Sequence, residues 1–388
     1  MNVSSESVCT DPSKFYFFDD VHPSERVQRV YGYYSFMEIS ALKEGKVFEL
    51  NEANLLSLIN ATPTLHIFGD SMSDIGTLKE LTNGLLPLLP YWNGRFSSGP
   101  VWNEYLALLL GYNHYSKSLG GSTSDNTHSM LTNDYNLYIS STQEQISYFR
   151  FTNLLYKQDK TRDQDIAILE VGANDYFAEV DNLASGSLSI SSFTDTLSTT
   201  VVDQLEQLRK IGFKNIVVAN MGAIQYTPMA IQANQQDFTK VIVDTYNTQL
   251  TAKANAWAKT AADVDMFAIC DFGKFIEVTA SSQIVIEALG LTNVTGACLD
   301  TLDTSSSKAT IAARTNVPNE SVCIDPSRFY FFDNVHPAER IQRLFGYYNW
   351  MEINAQRQGK VFEPTESNLL LLIKTYKLGT PAPKPAAI

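Results

Sequence analysis

The sequence predicts an α/β domain built on a parallel β-sheet, and three observations carry the prediction. Four short apolar runs read as buried strands, segments of helical spacing separate them, and polar turns follow several of the runs. The runs are LHIF (65–68), IAILEVG (166–172), NIVVANMG (215–222) and VDMFAICDF (264–272). Continuous apolar character, rather than alternation, marks strands covered on both faces. TLSTTVVDQLEQLRKIG has helical spacing and stops at Gly212, a residue suited to a helix C-cap. QQDFTKVIVDTYNTQLTAKANAWAKTA is a long amphipathic helix between the third and fourth runs. Near the C-terminus Pro337 falls at a helix start. Ile341, Leu344, Phe345 and Tyr348 then follow at i, i+3, i+4 and i+7, a core-facing stripe that closes the domain.

Composition excludes several classes. With 44% apolar and 18% charged residues, 20 Gly and 14 Pro in 388, the chain is globular rather than disordered, collagen-like or coiled. Its length accommodates one large α/β domain with additions. Lys+Arg 29 against Asp+Glu 42 leaves −13 and no basic cluster, so nucleic acid is not an expected partner. No apolar run approaches the roughly 20 residues of a membrane span, which leaves at most transient contact with a membrane surface. The first residues, MNVSSESVCTDPSKFYFF, have neither a basic nor an apolar leader region, so no secretion signal is expected in this chain. Cys9, Cys270, Cys298 and Cys323 show no C-x-x-C spacing, which argues against zinc. Cys298 and Cys323 bracket a polar stretch. A disulfide closing it and a pair of free thiols are both open, because compartment decides between them.

The chain also repeats itself. Residues 2–59 match 316–373 at a constant offset, with about 39 of 58 positions identical. Two copies so far apart cannot stack as a solenoid, and a piece of that size buries little surface alone. One copy therefore completes the main domain. This divides the chain into a duplicate at 1–61, appended or swapped, a main domain at 62–375, and a flexible Pro/Ala-rich tail at 376–388.

Ligands of open parallel sheets bind beyond the carboxyl ends of the strands. Ser71 follows the first run in Phe68-Gly69-Asp70-Ser71, a tight turn that lifts a hydroxyl into the cleft. Gly121, in Leu119-Gly120-Gly121-Ser122-Thr123, lies in a loop whose N–H groups can donate to an oxyanion, and Asn174 follows the second run with a side-chain amide. Asp333 and His336 form Asp-Asn-Val-His-Pro ahead of the last helix. A serine hydroxyl needs an imidazole to take its proton and a carboxylate to orient that imidazole. Asp70, Asp74 and Asp175 are read as turn and capping residues rather than a metal site, and no cofactor is expected.

FGDSMSDIGTL, GGST, VGANDY and DNVHP, in this order, resemble the GDSL (SGNH) family of lipases and acylhydrolases over roughly residues 62 to 375. YWNGRFSSGPVWNEYLALLLG resembles the stretch after the first block in the lipase and phospholipase branch. The resemblance implies a three-layer α/β/α sandwich, flavodoxin-like, on a parallel sheet of about five strands. It implies Ser71 as nucleophile, His336 as base and Asp333 as its orienting carboxylate. The oxyanion hole would be Ser71 N–H, Gly121 N–H (or Gly120) and the Asn174 amide. Ser116 stands where family members often carry Asn. The expected activity is a serine ester hydrolase acting on lipid acyl esters, as phospholipase A, lysophospholipase or acyltransferase. The alternatives are a carbohydrate O-acetyl esterase and a catalytically dead binding module. The family is usually secreted. Phe329-Tyr330-Phe331-Phe332 is read as a strand packing on the sheet, with an acyl-pocket lining as the alternative.

The first copy carries Asp19 and His22, matching Asp333 and His336, but no Gly-Asp-Ser precedes them. It is an appendage from fusion of a neighbouring paralogue's tail, a competitor that brings His22 to Ser71 as an alternative base, or an element swapped between chains.

Overall fold

Five parallel strands organise the molecule: β1 (Thr64–Gly69), β2 (Asn113–Ser116), β3 (Ile166–Glu170), β4 (Asn215–Ala219) and β5 (Met266–Cys270), in the spatial order β2-β1-β3-β4-β5. The structure is a computed structural model that describes residues 17, 25–43, 45–52, 54–55, 62–128, 130–131, 137–156, 163–299 and 322–381. Every neighbouring pair in the sheet is parallel, with Gly69 opposite Glu170 and Ala219 opposite Cys270. The order reverses between β1 and β3, and a cleft opens at such a switch point beyond the strand ends. Four strands coincide with the apolar runs. β2 does not: its sequence, Asn-His-Tyr-Ser, is half-buried at the sheet edge and has no apolar run to announce it.

Both faces of the sheet are covered. Leu65, Ile67, Ile168, Val217 and Ala268 meet α1 (Trp102–Leu110), α6 (Phe272–Ser281), α7 (Glu339–Gln356) and α8 (Glu366–Tyr376). Phe68, Ala167, Leu169, Ile216 and Val218 meet α2 (Thr142–Tyr156), α3 (Ala173–Ser185), α4 (Ile190–Ile211) and α5 (Gln236–Thr260). The period-2 alternation of the strands thus feeds two cores and makes three layers. α4 stops where expected, on Gly212 at φ 113°.

Ile341, Leu344, Phe345 and Tyr348 of α7 are all buried, and the Phe345 ring lies 5.3 Å from Trp102 and 4.8 Å from Phe275. Pro337 stands two residues ahead of this helix rather than at its first turn. Its carbonyl accepts from Ser97 Oγ at 3.0 Å and the residue bridges to Phe331, so Ala338 is the N-cap.

The aromatic run begins with β7 (Phe329–Phe331), which pairs in parallel with β6 (Asn293–Ala297) in a separate two-stranded sheet. Tyr330 and Phe331 are buried against the α7 core, and Phe332 belongs to a third cluster with Tyr91, Phe96, Leu119 and Leu299. A disulfide joins Cys298 to Cys323, and Cys298 N–H donates to Phe331 O at 3.1 Å.

The chain packs past residue 375. Leu378 is buried, and Arg343 Nη2 donates to Leu378 O and Thr380 O, so residues as far as Thr380 belong to the packed domain rather than to a loose tail.

Two units are distinguished, Thr64–Ala382 and Met1–Pro63 with Pro383–Ile388. The described residues of the second centre on a helix, Glu25–Lys43, the stretch of the first copy that corresponds in sequence to α7. Asp19 and His22 lie outside the described residues. No described helix is long and apolar enough to cross a membrane.

Candidate active site

Ser71 leaves β1 in a turn held by Asp70. Asp70 Oδ1 accepts from Met72 N–H at 2.9 Å and its carbonyl accepts from Ser73 N–H at 3.1 Å. A short polar side chain bonding the backbone two residues on makes a sharp turn, and this one carries the hydroxyl off the end of the strand. His336 comes from the loop between β7 and α7. Its Nε2 lies 2.7 Å from Ser71 Oγ, although 265 positions separate the two residues. Its Nδ1 lies 2.7 Å from Asp333 Oδ2. A carboxylate only accepts, so the proton sits on Nδ1, and Nε2 is left to accept the serine proton. All three residues are buried.

Asp333 is fully engaged. Oδ1 takes the N–H groups of Val335 and His336 at 2.8 and 2.6 Å, and Oδ2 takes the Tyr91 hydroxyl at 2.6 Å as well as the imidazole. Burial pushes this carboxyl up, but His336 and then the Tyr91 bond outweigh it and hold it below the usual range. The group therefore stays ionised beside the imidazole.

The loop after β2 supplies backbone donors. Gly121 sits at φ +91°, where a side chain is strained, and a Cβ on Gly120 would come within 2.5 Å of the Phe96 ring. That ring lies 5.1 Å from His336, so Gly120 lets the loop pack against the ring that neighbours the imidazole. Gly120 N–H is committed to Asp74 Oδ2 at 2.8 Å. Among the described residues no hydrogen bond is made by the N–H of Gly121 or of Ser71. Of the two glycines, Gly121 is thus the one with a donor to offer. Asn174, near the start of α3, donates through Nδ2 to Ser122 O at 2.8 Å and, over a longer 3.3 Å, to Asp70 Oδ2.

The three aspartates considered for metal are spent on hydrogen bonds. Asp74 caps the N–H groups of Gly76, Thr77 and Leu78, and Asp175 takes Ser124 N–H and Oγ–H. Among the described residues no group of three potential metal ligands occurs. Ser116 Oγ lies 3.4 Å from Ser73 O and accepts from Ser118 N–H at 3.2 Å, so the hydroxyl holds the end of β2.

Two contributors escaped the sequence reading. Glu170 closes β3 and accepts from Ser73 Oγ at 2.9 Å. Burial, and next the Glu170 charge, push Asp70 well above the carboxylate range, and burial raises Glu170 likewise. Both carboxyls are thus held above the ordinary carboxylate range by burial. An acid inside an otherwise apolar strand run was the available signal. Tyr91 had no such mark: it lies in a loop, 242 positions from the carboxylate it serves.

The arrangement can pass a proton from Ser71 Oγ to His336 Nε2 with Asp333 holding the imidazole, while the N–H groups of Ser71 and Gly121 make no hydrogen bond among the described residues.

A family model described as GDSL-like lipase/acylhydrolase matches residues 65–348. The phosphatidylcholine-sterol acyltransferase of Aeromonas hydrophila is 29% identical over 167 residues, 42% of this chain and 46% of that protein. This chain therefore matches less than half the length of that relative. A GDSL esterase/lipase of Arabidopsis thaliana is 23% identical over 349 residues, 80% of this chain and 92% of its own. Among solved structures, a lipolytic protein of the G-D-S-L family from Veillonella parvula aligns with a TM-score of 0.38 at 16% identity, over 74% of this chain and 95% of its own.

Proposed function

The chain belongs to the GDSL-like lipase/acylhydrolase family, and from that premise we propose that it is a serine ester hydrolase acting on lipid acyl esters through Ser71, His336 and Asp333. One observation carries this reading: the unbroken chain of 2.7 Å bonds from Ser71 Oγ through His336 to Asp333 Oδ2.

Ser71 Oγ attacks the ester carbonyl carbon while its proton passes to His336 Nε2. The tetrahedral oxyanion is met by the N–H groups of Ser71 and Gly121 and by Asn174 Nδ2, which exchanges its long bond to Asp70 for the new anion. The C–O bond to the alcohol then breaks, the alcohol leaves with the proton from Nε2, and an acyl-serine remains. Water, or a second alcohol in acyl transfer, repeats the sequence and restores the serine. The upward shift of Asp70 and Glu170 lessens the negative charge close to the developing oxyanion.

The lipid assignment draws on three facts. The YWNGRFSSG stretch has the lipase-branch pattern, the Aeromonas relative is a phosphatidylcholine-sterol acyltransferase, and Leu85 and Leu89 are exposed on the segment leading to Tyr91. Hydrolysis of p-nitrophenyl esters from acetate to palmitate tests it. We expect kcat/KM to rise with chain length by about tenfold or more, since each buried CH2 contributes about 0.8 kcal/mol. A preference for acetate would instead assign an acetyl esterase. Asn174→Ala is expected to lower kcat about a hundredfold to a thousandfold with little change in KM, the result of losing one oxyanion donor.

A further inference from the structure

Asp333 Oδ2 receives two donors at once, His336 Nδ1–H at 2.7 Å and the Tyr91 hydroxyl at 2.6 Å. The other oxygen is already fixed by two backbone N–H groups from the carboxylate's own turn. A carboxylate so held needs no phenol to stay in place. The phenol adds something electrostatic: it shares the negative charge that Nδ1–H would otherwise meet alone.

We infer that Tyr91 is a positioning residue of the proposed triad, which limits through its bond to Asp333 Oδ2 how tightly the His336 proton is held and so sets the pH at which the base becomes available to Ser71. This rests on the Ser71–His336–Asp333 reading. The groups facing the imidazole are Asp333 in its own segment, Ser71 and Asp70 in the turn after β1, and the Phe96 ring from the segment before α1. Glu170 of β3 stands behind Asp70. Tyr91 alone among these neighbours brings a side-chain hydroxyl to Asp333. Burial and then the Asp333 charge push the phenol up, so it remains a donor. Its ring meets Phe96 and Phe332 edge-on at 5.6 and 5.4 Å, contacts that survive loss of the hydroxyl.

The test is Tyr91→Phe, with kcat/KM for a soluble p-nitrophenyl ester followed across pH. The acidic limb is expected to move to higher pH by about half to one unit, with KM within about twofold, because the imidazolium loses a competitor for the carboxylate. Tyr105→Phe is the control. Its hydroxyl donates to Glu339 Oε1 at 2.6 Å, another phenol–carboxylate bond, and its removal is expected to leave the limb in place. A second readout needs no turnover: the downfield proton signal of His336 Nδ1–H is expected to shift in Tyr91→Phe and not in Tyr105→Phe. Should Tyr91→Phe fold poorly, 3-fluorotyrosine at position 91 keeps the ring and strengthens the donor, and must move the limb to lower pH. A Tyr91→Phe profile that superimposes on the wild type, with Ser71→Ala inactive, overturns the inference alone. Activity surviving in Ser71→Ala overturns the triad reading and this inference with it.

Discussion

Ser71→Ala is expected to remove ester hydrolysis almost entirely, by about a millionfold in kcat, as befits the proposed nucleophile of a unit whose members act together. The neighbouring hydroxyl cannot take its place. Ser73 Oγ is donated to Glu170 and accepts from Trp102 Nε1 at 3.2 Å, so it lies in the buried support of the turn and makes no bond to His336. The loss should be chemical rather than structural, since the Ser71 side chain contributes one hydrogen bond, worth about 1 kcal/mol. Two measurements check it together: turnover of a p-nitrophenyl ester, and the mass gained on treatment with a fluorophosphonate, which adds only to an activated serine. The wild type should be labelled at Ser71 and the folded variant not at all. Retention of activity within about tenfold would move the nucleophile elsewhere, since no oxyanion hole alone sustains such a rate. A folded wild type that takes no label would favour a binding module without chemistry.

His336→Ala is the second large loss, on the order of 10^5-fold or more in kcat, because without its base the hydroxyl keeps its proton at neutral pH. This variant also separates the two copies of the repeat. The sequence of the first copy carries His22 and Asp19 at the matching positions. Activity that survives His336→Ala and disappears in the His22→Ala, His336→Ala double variant would assign the base to that copy. With His336 Nε2 at 2.7 Å from Ser71 Oγ, we expect the single substitution to suffice and His22→Ala alone to leave turnover unchanged.

How much of this was legible in the sequence depended on the kind of physical signal each element leaves. β1, β3, β4 and β5 are covered on both faces, which forces runs of apolar residues that stand out without context. β2 pairs with β1 alone and can be Asn-His-Tyr-Ser, so nothing in its composition distinguishes it from a loop. The α7 stripe was readable from its spacing because four of its residues meet one core. Its first residue was not, since Pro337 accepts from Ser97, a partner 240 positions away, and bridges back to Phe331. Ser71, Asn174, Asp333 and His336 stood out because a strand end or a helix start places each of them. The support behind them did not. Tyr91 and the Asp70–Glu170 pair act through contacts that exist only once the chain has folded, and a tyrosine in a loop has no local pattern to reveal its partner.

The covalent link between Cys298 and Cys323 has a consequence for how this chain can vary. The segment bearing His336 and Asp333 is anchored on one side by α7 and on the other by that link, which ties it to the end of β6. Leu299 and Val322, just inside the two cysteines, bridge to each other, and Leu299 N–H donates to Phe332 O, so the ends of the ring are fastened as well as the cysteines. Protease scission within the ring would leave both fragments joined, and a graft of new residues would lengthen a closed ring without loosening the histidine, since added length costs little once the ends are fastened.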